Sequence, residues 1–568
     1  MRTCTNKSRI TPVEKRTSNP GMSMHRRLAV LASMLPTASV VALLAGPATA
    51  ASLYDQDGWQ ISWDNTLKYS LAFRTEDPSN TVINGPVVNG LTASQRDDGD
   101  RNFRHGPISN RIDVLSEFDV NYLKTYGFRA SAAAWYDTVY NTHTDNNSDA
   151  TYNQPPYISN RDFAQKTRQL HGRNIELLDA FAYGRAEVGD MPLNLRAGRY
   201  AQLWGESLYF GANGIAAGMA PLDTIKAVSV PGSQVKELIM PVTQAGGQLQ
   251  IDQNFSVAGY YQLEWRRNRN PAVGSFFSPV DFVDYGGSCL ITAAIPDRTC
   301  IAPRREDRKP RNAQGQFGAS IKYTPDDGDY SIGLYALRFH AKDPVVYTPL
   351  TSSFTPEYYL AFPEAVQLYG ASLTTNVGDA NIGAEVSVRR NQPLAYNPNI
   401  GLVLLPGQTG DGRDNRWYPT GDTFHAQVST IYALPRSEMG LWEGATFTGE
   451  FAFNHVMRTH QNLSQVDLRD PDKTRSAGAA QVGLMFDYYQ IAPGLDLSIG
   501  PNVRYGLFGK SAIDPGMVRG AGSVSLAANL TYQNVWKGGF SYTHWVGDLK
   551  SQPFADRDFV SFNVQRTF

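Results

Sequence analysis

Long apolar runs are missing from this 568-residue sequence. Beyond residue 50 none approaches the roughly eighteen residues that a membrane-spanning helix needs, which excludes a helical membrane bundle. Charge of one sign is missing too. With 52 basic and 53 acidic side chains the formal net charge is −1, so the basic footprint of a nucleic-acid binder is absent and no such partner is expected. Cysteine and histidine are scarce, and the nine histidines fall into no HExxH or comparable ligand spacing, so neither a zinc site nor a cofactor is expected. Aromatic residues, by contrast, are plentiful: 29 Tyr, 26 Phe and 9 Trp are far from the composition of a disordered chain.

The amino terminus points to a compartment. In residues 24–50, His25, Arg26 and Arg27 precede an apolar stretch that ends in Ala48-Thr49-Ala50, the pattern of a secretory signal peptide cleaved after Ala50. Residues 1–22 read as an extension from an upstream start codon, so residues 1–50 are set aside and residues 51–568 are expected to form a single domain. Seven basic residues and one acidic residue fall in the first fifty positions, which leaves 45 and 52 and a formal charge of −7. Cys4 leaves with the leader. Cys289 and Cys300 remain, a usage that fits an oxidising, exported environment.

Apolar residues in the remaining chain alternate at period two. Trp59, Ile61, Trp63, Leu67, Tyr69, Leu71 and Phe73 oppose Gln60, Ser62, Asp64, Thr66, Lys68 and Arg74. The same pattern returns around Ile112–Val120, Phe255–Trp265, Ile382–Val388, Phe447–Phe453 and Val524–Leu530. Connections between these stretches are alternately tight, as at Gly189-Asp190, Gly378-Asp379 and Gln533 to Gly538, and long and polar, as over 76–106, 141–173, 201–245, 268–314, 343–365, 392–421 and 461–473. A soluble sandwich has no reason to sort its loops by parity, whereas an outer-membrane barrel has short periplasmic turns and long outer loops. The pattern predicts an all-β fold, a transmembrane antiparallel β-barrel of eighteen strands, with sixteen as the alternative count. Pro501 sits inside a strand and predicts a bulge, because proline cannot donate to a ladder. The last strand ends on Phe568, resembling the aromatic signal that barrel-assembly machinery reads.

Eighteen tilted strands close into a cylinder on the order of 35 Å across, too wide for wall side chains to fill. Residues 201–245, after the fifth strand, are unusually rich in Gly, Ala, Leu, Ile, Met and Val for a long loop. They are expected to fold into the lumen as a constriction, making contact through Trp204, Tyr209, Phe210, Ile225, Leu238 and Met240. An apolar cap across the outer rim is the alternative.

By alternation, Asp179, Arg185 and Glu187 on the fourth strand, Glu264 and Arg266 on the seventh, Glu385 and Arg389 on the eleventh, Glu450 on the thirteenth and Arg504 on the fifteenth point inward. One reading is a ring of charge that selects solutes. The other is that acid and base pair across a wet wall and anchor the inner segment. Arg199, Glu206, Lys236 and Glu237 lie in apolar surroundings and must be paired there.

Gly198-Arg199, Trp204-Gly205-Glu206-Ser207, Asn213-Gly214, Pro221 with Asp223, Pro231-Gly232, Lys236-Glu237, Met240-Pro241 and Tyr261-Gln262-Leu263-Glu264-Trp265 resemble, in that order, the most recognisable block of the proteobacterial DUF1302 family. The resemblance implies an outer-membrane barrel, often encoded beside an outer-membrane-sorting-like protein and exporters of hydrophobes, and hence traffic in hydrophobic or lipid-like compounds. It supplies no substrate or catalytic residue. The candidate pore residues are Arg199, Trp204, Glu206, Asp223, Lys236, Glu237, Glu264, Arg266, Glu385, Arg389, Glu450 and Arg504.

Cys289 and Cys300, in one outer loop, are expected to form a structural disulfide. The runs Asp97-Asp98-Gly99-Asp100 and Asp411-Gly412-Arg413-Asp414 have the donors for calcium but read as solvated loop tips. Neither a phosphate loop nor a G-x-S-x-G elbow is present, and no enzyme is expected. The expected function is an outer-membrane channel for small organic solutes, surrounded by outer-membrane lipids. A barrel that hands lipid or hydrophobe to a periplasmic or exporter partner is the alternative, and a barrel-embedded hydrolase the third reading.

Overall fold

Period two in the sequence becomes a wall in space. The computed structural model describes residues 51–154, 158–291, 300–396, 402–461 and 474–568. Its eighteen wall strands are β1 (Trp59–Arg74), β2 (Gly106–Tyr122), β3 (Tyr126–Asp137), β4 (Arg173–Val188), β5 (Met191–Tyr200), β6 (Val242–Gln250), β7 (Phe255–Gln262), β8 (Gln316–Tyr323), β9 (Tyr330–Phe339), β10 (Val366–Val377), β11 (Ala380–Pro393), β12 (Thr420–Leu434), β13 (Gly444–Gln461), β14 (Ser476–Ala492), β15 (Leu495–Phe508), β16 (Gly522–Tyr532), β17 (Trp536–Val546) and β18 (Phe559–Thr567). Each pairs antiparallel with its neighbours in sequence, and β18 returns to β1 from Thr66↔Thr567 to Arg74↔Phe559, so the sheet closes at eighteen strands. Closure is what lipid demands, because no water is there to take up the backbone groups of an open edge. Beyond the end of β18 the seam continues. Phe568 exchanges both backbone hydrogen bonds with Asn65 (2.8 and 2.9 Å), and the short strand Ala51–Gln56 pairs with Trp59–Trp63 of β1.

Side chains sort by parity. On β1, Lys68, Ser70, Ala72 and Arg74 are buried inside, while Trp59 and Trp63 are exposed. Ile175 on β4 (79% exposed), Leu334 on β9, Leu526 on β16 and Phe540 on β17 belong to an apolar outer coat, which a bilayer tolerates and water does not. Among the described residues no helix is long and apolar enough to cross a membrane.

At one end the connections are tight. Leu123-Lys124 between β2 and β3 (φ 52° and 54°) and Gln533-Asn534 between β16 and β17 (φ 53° and 59°) take the left-handed backbone in three-residue loops. At the other end the long connections pack on one another. Phe103, Tyr140, Phe163, Phe276 and Phe277, from three different loops, gather with Phe559. Val345–Pro349 pairs antiparallel with Tyr359–Ala361 and parallel with Val403–Leu404, burying Tyr347, Tyr359, Leu404 and Tyr418. Cys289 and Cys300 are disulfide-bonded, with Cα atoms 5.7 Å apart. The tip of that loop, residues 292–299, and most of the 461–473 connection lie outside the described residues.

Three expectations need correction. Pro501 introduces no bulge. The ladder to β14 lacks pairs at Gly500 and Pro501 but resumes in register (Gly483↔Asn502, Phe486↔Ile499), and on its other side Pro501 stays in step with Leu526, so the missing donor costs ladder pairs and shifts no register. Glu264 and Arg266 lie past the end of β7 at Gln262, where the chain is already leaving the wall. Asp97, Asp98 and Asp100 are not solvated: all three are fully buried where the outer loops pack. The second acidic run has a local explanation, since Asp411 accepts the N–H groups of Arg413, Asp414 and Asn415 in its own turn (2.8 to 2.9 Å).

Candidate functional site: a segment across the bore

Residues 201–241 leave the wall at β5, cross to strands on the far side, and return to β6. Trp204 packs edge-on to Tyr260 of β7 (5.2 Å between ring centroids) and against Tyr335 of β9 (5.9 Å). The chain then meets two wall carboxylates. Glu385 on β11 accepts the backbone N–H groups of Glu206, Ser207 (3.1 Å) and Ile215 (2.8 Å). Glu450 on β13 accepts the Ser207 hydroxyl (3.0 Å) and the N–H groups of Leu208 (3.2 Å), Tyr209 and Phe210 (2.9 Å). Both are almost completely buried. Carboxylates satisfied by converging backbone donors need no cationic partner. Gly205 makes the approach possible: it sits at φ +104°, and a Cβ there would collide with the Glu385 carboxylate.

Opposite charge holds the carbonyl side of the same turn. Arg389 on β11 donates from Nη2 to the carbonyls of Ala212 (3.1 Å), Asn213 (2.8 Å) and Gly214 (2.9 Å). Asn213 is fixed by His425 and Gln427 on β12 (2.9 and 3.2 Å). Phe210 is buried against Ala452, Ala477, Ala479 and Met517, with the Arg504 guanidinium 4.8 Å from its ring. Tyr209 meets Thr448 at 2.6 Å.

The return half starts beside Trp204 on β7 and β9 and runs on to β1, β2 and β4. Met219 is buried with Tyr260, Leu337 and Phe339. Lys342, just past β9, donates to the Ala217 carbonyl at 3.3 Å, and burial pushes its ammonium down to about 8. Asp223 pairs with Arg269 (2.8 Å), which also binds Glu176 of β4, and caps a short helix, Thr224–Ser229, that buries Ile225. Glu237 faces Lys68 of β1 (3.5 Å) and Lys226 (3.9 Å), and Lys236 reaches Glu117 of β2 (2.5 Å). Arg199 pairs with Glu264 (3.1 Å), and Arg266 donates to the Pro241 carbonyl (2.9 Å).

The predicted contact residues thus lie inside the barrel, with Phe210, Ile225 and Met240 buried and Leu238 beside a cavity. Glu206 departs from the expected pairing. It is half-buried, its carboxylate makes no ion pair among the described residues, and only its backbone is used, the carbonyl accepting from Ser429 (2.9 Å). Arg185 and Glu187 are exposed at the short-turn end of β4 and do not join the segment. His425, Lys68, Glu117, Glu176 and Arg269 complete the site without having been candidate pore residues, as does Asn213, which entered only through the family block. Lys68 and Glu117 carried a signal, since each lies on the polar face of its strand; Arg269, in a long loop, carried none.

Two cavities flank the return half. One of about 450 Å³ separates Val228, Pro231 and Leu238 from Lys537, Ser541 and Asn563 on β17 and β18. The other, of about 270 Å³, is bordered by Glu117, Arg129, Asp179 and Lys236.

Residues 31–568 match the sequence model of the family described as "Protein of unknown function (DUF1302)". The chain belongs to that family. This DUF1302 chain is 9% identical to Acinetobacter baumannii OccAB1 (TM-score 0.42, covering 89% of this chain and 96% of that one). It is 9% identical to Pseudomonas aeruginosa OpdK solved with vanillate (TM-score 0.39, 89% and 98%) and 9% to Salmonella typhi OmpF in complex with daunomycin (TM-score 0.38, 91% and 99%). No curated protein matches the chain.

Proposed function

We propose that the protein is an outer-membrane channel for small organic compounds of hydrophobic or lipid-like character, in which the inner segment sets what passes. The observation that carries this reading is the cavity of about 450 Å³ between the segment and β16–β18. Its segment side offers Val228, Val230, Pro231 and Leu238, and its wall side offers Lys537, Ser541 and Asn563. An apolar shelf facing a polar wall at that volume suits a small organic molecule better than a hydrated ion. Most charges of the bore are spent on anchoring, so Glu206 is the segment carboxylate left to act on a passing solute. The leader at 24–50 supports export, the apolar coat supports residence in a bilayer, and Phe568 within the seam supports handling by barrel-assembly machinery. No catalytic role is proposed.

The test is uptake into proteoliposomes by a graded series of neutral aromatics, fatty acids and sugars of matched size, with growth of a deletion strain on the same compounds. Apolar compounds are expected to enter faster than sugars and to support growth only when the gene is intact. Equal uptake of both classes would overturn the reading.

A further inference from the structure

Away from the bore, three outer loops meet at a group of buried acids. Asp97 and Asp98 come from the β1–β2 connection and Asp281 from the β7–β8 connection; one carboxylate oxygen from each lies within 4.8 Å of the other two. Asp98 and Asp281 are 0% exposed, and neither makes an ion pair with any cationic side chain among the described residues. Of the nearby guanidiniums, Arg101 pairs with Asp97 itself, Arg74 and Arg557 pair with Asp100, and Arg96 donates from Nη2 to the Pro86 carbonyl (2.9 Å) while its Nε and Nη1 have no hydrogen-bond partner among the described residues. Each acid keeps one oxygen without a hydrogen-bond partner: Oδ1 of Asp97, of Asp98 and of Asp281. The other oxygens are used, Asp97 Oδ2 by the Arg101 guanidinium and Thr151 (2.8 Å), Asp98 Oδ2 by the Asn153 N–H (3.0 Å) and Asp281 Oδ2 by the Asp98 N–H (3.1 Å).

A separate observation comes from a third loop. Asn153, between β3 and β4, is 0% exposed; its N–H is on Asp98 and its Nδ2 on the Ser94 carbonyl (2.6 Å), yet its Oδ1 has no partner among the described residues. A neutral amide oxygen has no acid chemistry of its own and does not repel a proton or a cation. Left bare and buried on a residue whose own N–H is bound to Asp98, it is a fourth hard oxygen donor. Burying one such group unsatisfied is costly, and burying four is a large cost unless something binds them.

We propose that Asp97, Asp98, Asp281 and Asn153 hold a calcium ion that clamps the β1–β2, β3–β4 and β7–β8 loops together. All four donors are oxygen and three are anionic, the set that calcium takes and that soft or nitrogen-seeking metals do not. Calcium outside cells is abundant enough for a site with a dissociation constant of about 10⁻⁴–10⁻³ M. This site is independent of what passes through the bore.

The experiment uses the full-length barrel, purified in detergent and stripped with a chelator, and calcium chloride alone as the probe. Calorimetry is expected to find one calcium per chain, and about 10 mM calcium to lower the unfolded fraction at a fixed denaturant concentration by roughly 10- to 100-fold. Asp98→Asn and Asp281→Asn remove charge at nearly constant shape, so each is expected to fold without calcium and to lose the response. Asp411→Asn, in the other acidic run, is expected to keep it. No binding by wild type, an equal response to magnesium, or an unchanged response in both folded variants would overturn the proposal. If neither variant folds, the wild-type titration decides alone.

Discussion

Replacing Glu450 by Ala removes an acceptor shared by the Ser207 hydroxyl and the N–H groups of Leu208, Tyr209 and Phe210. A hydrogen bond to a charged group contributes about 1.5–3 kcal/mol, and four on one carboxylate are not additive. Leaving the donors buried with nothing to bind costs roughly 3–4 kcal/mol in total, at about 1–3 kcal/mol per donor with partial relaxation of the turn. Glu385 and Arg389 still hold the neighbouring residues, so the loss falls on local opening of residues 206–215 and leaves the wall closed. At about 1.4 kcal/mol per factor of ten, open states of that turn should become roughly 10²- to 10³-fold more populated. Hydrogen-exchange mass spectrometry reads this directly: peptides over 206–215 should lose protection by that factor while peptides over β16–β18 stay as in wild type. Glu450→Gln keeps one acceptor oxygen and should fall between. Exchange of 206–215 within about threefold of wild type in the Ala variant would refute the idea that this carboxylate holds the segment.

Gly205→Ala should reproduce part of the same exchange signature, because its Cβ would displace the Glu385 carboxylate from a backbone at φ +104°. Thiol titration of unreduced protein should find no free thiol after leader removal, and Cys289→Ser/Cys300→Ser should lower resistance of that outer loop to unfolding by about 3 kcal/mol in the chain-entropy picture, read by protease susceptibility against denaturant. Lys342 binds fewer protons folded than unfolded between about 8 and its ordinary value of 10.5, so stability should rise with pH across that window. Lys342→Met should therefore exceed wild type in denaturation midpoint at pH 7, with the advantage shrinking towards pH 10; a gap that does not change with pH would count against a buried ammonium.

The wall was legible because lipid leaves a barrel little choice: one face of every strand must be apolar, and Trp59 to Phe73 or Phe447 to Phe453 state that face residue by residue. The inner segment was legible for the converse reason, since a long loop as apolar as 201–245 has no place in water. What holds it was less legible. Charge-pairing rules look for a cation opposite Glu385 and Glu450, whereas both are satisfied by backbone N–H groups, which every sequence has and none displays. Glu206, expected to be paired, contributes only its backbone. The acidic run at Asp97 looked like a solvated tip because polarity alone does not reveal that Phe103, Tyr140 and Phe276 from three loops would close over it. Pro501 was read locally, but a ladder anchored on both sides absorbs a missing donor without changing register.

The central claim is that the protein's own segment governs passage through a bore too wide to close otherwise, and single-channel conductance in planar bilayers tests it most directly. Trp204 and Met219 touch, the Trp204 N–H lying 3.0 Å from Met219 Sδ, so residues 206–218 can be replaced by a short glycine linker without straining the wall. Wild type should pass small currents, and the excised chain, folded and heat-modifiable like wild type, should pass currents several-fold larger with weaker discrimination among solutes. Equal conductance in the two proteins would contradict the account.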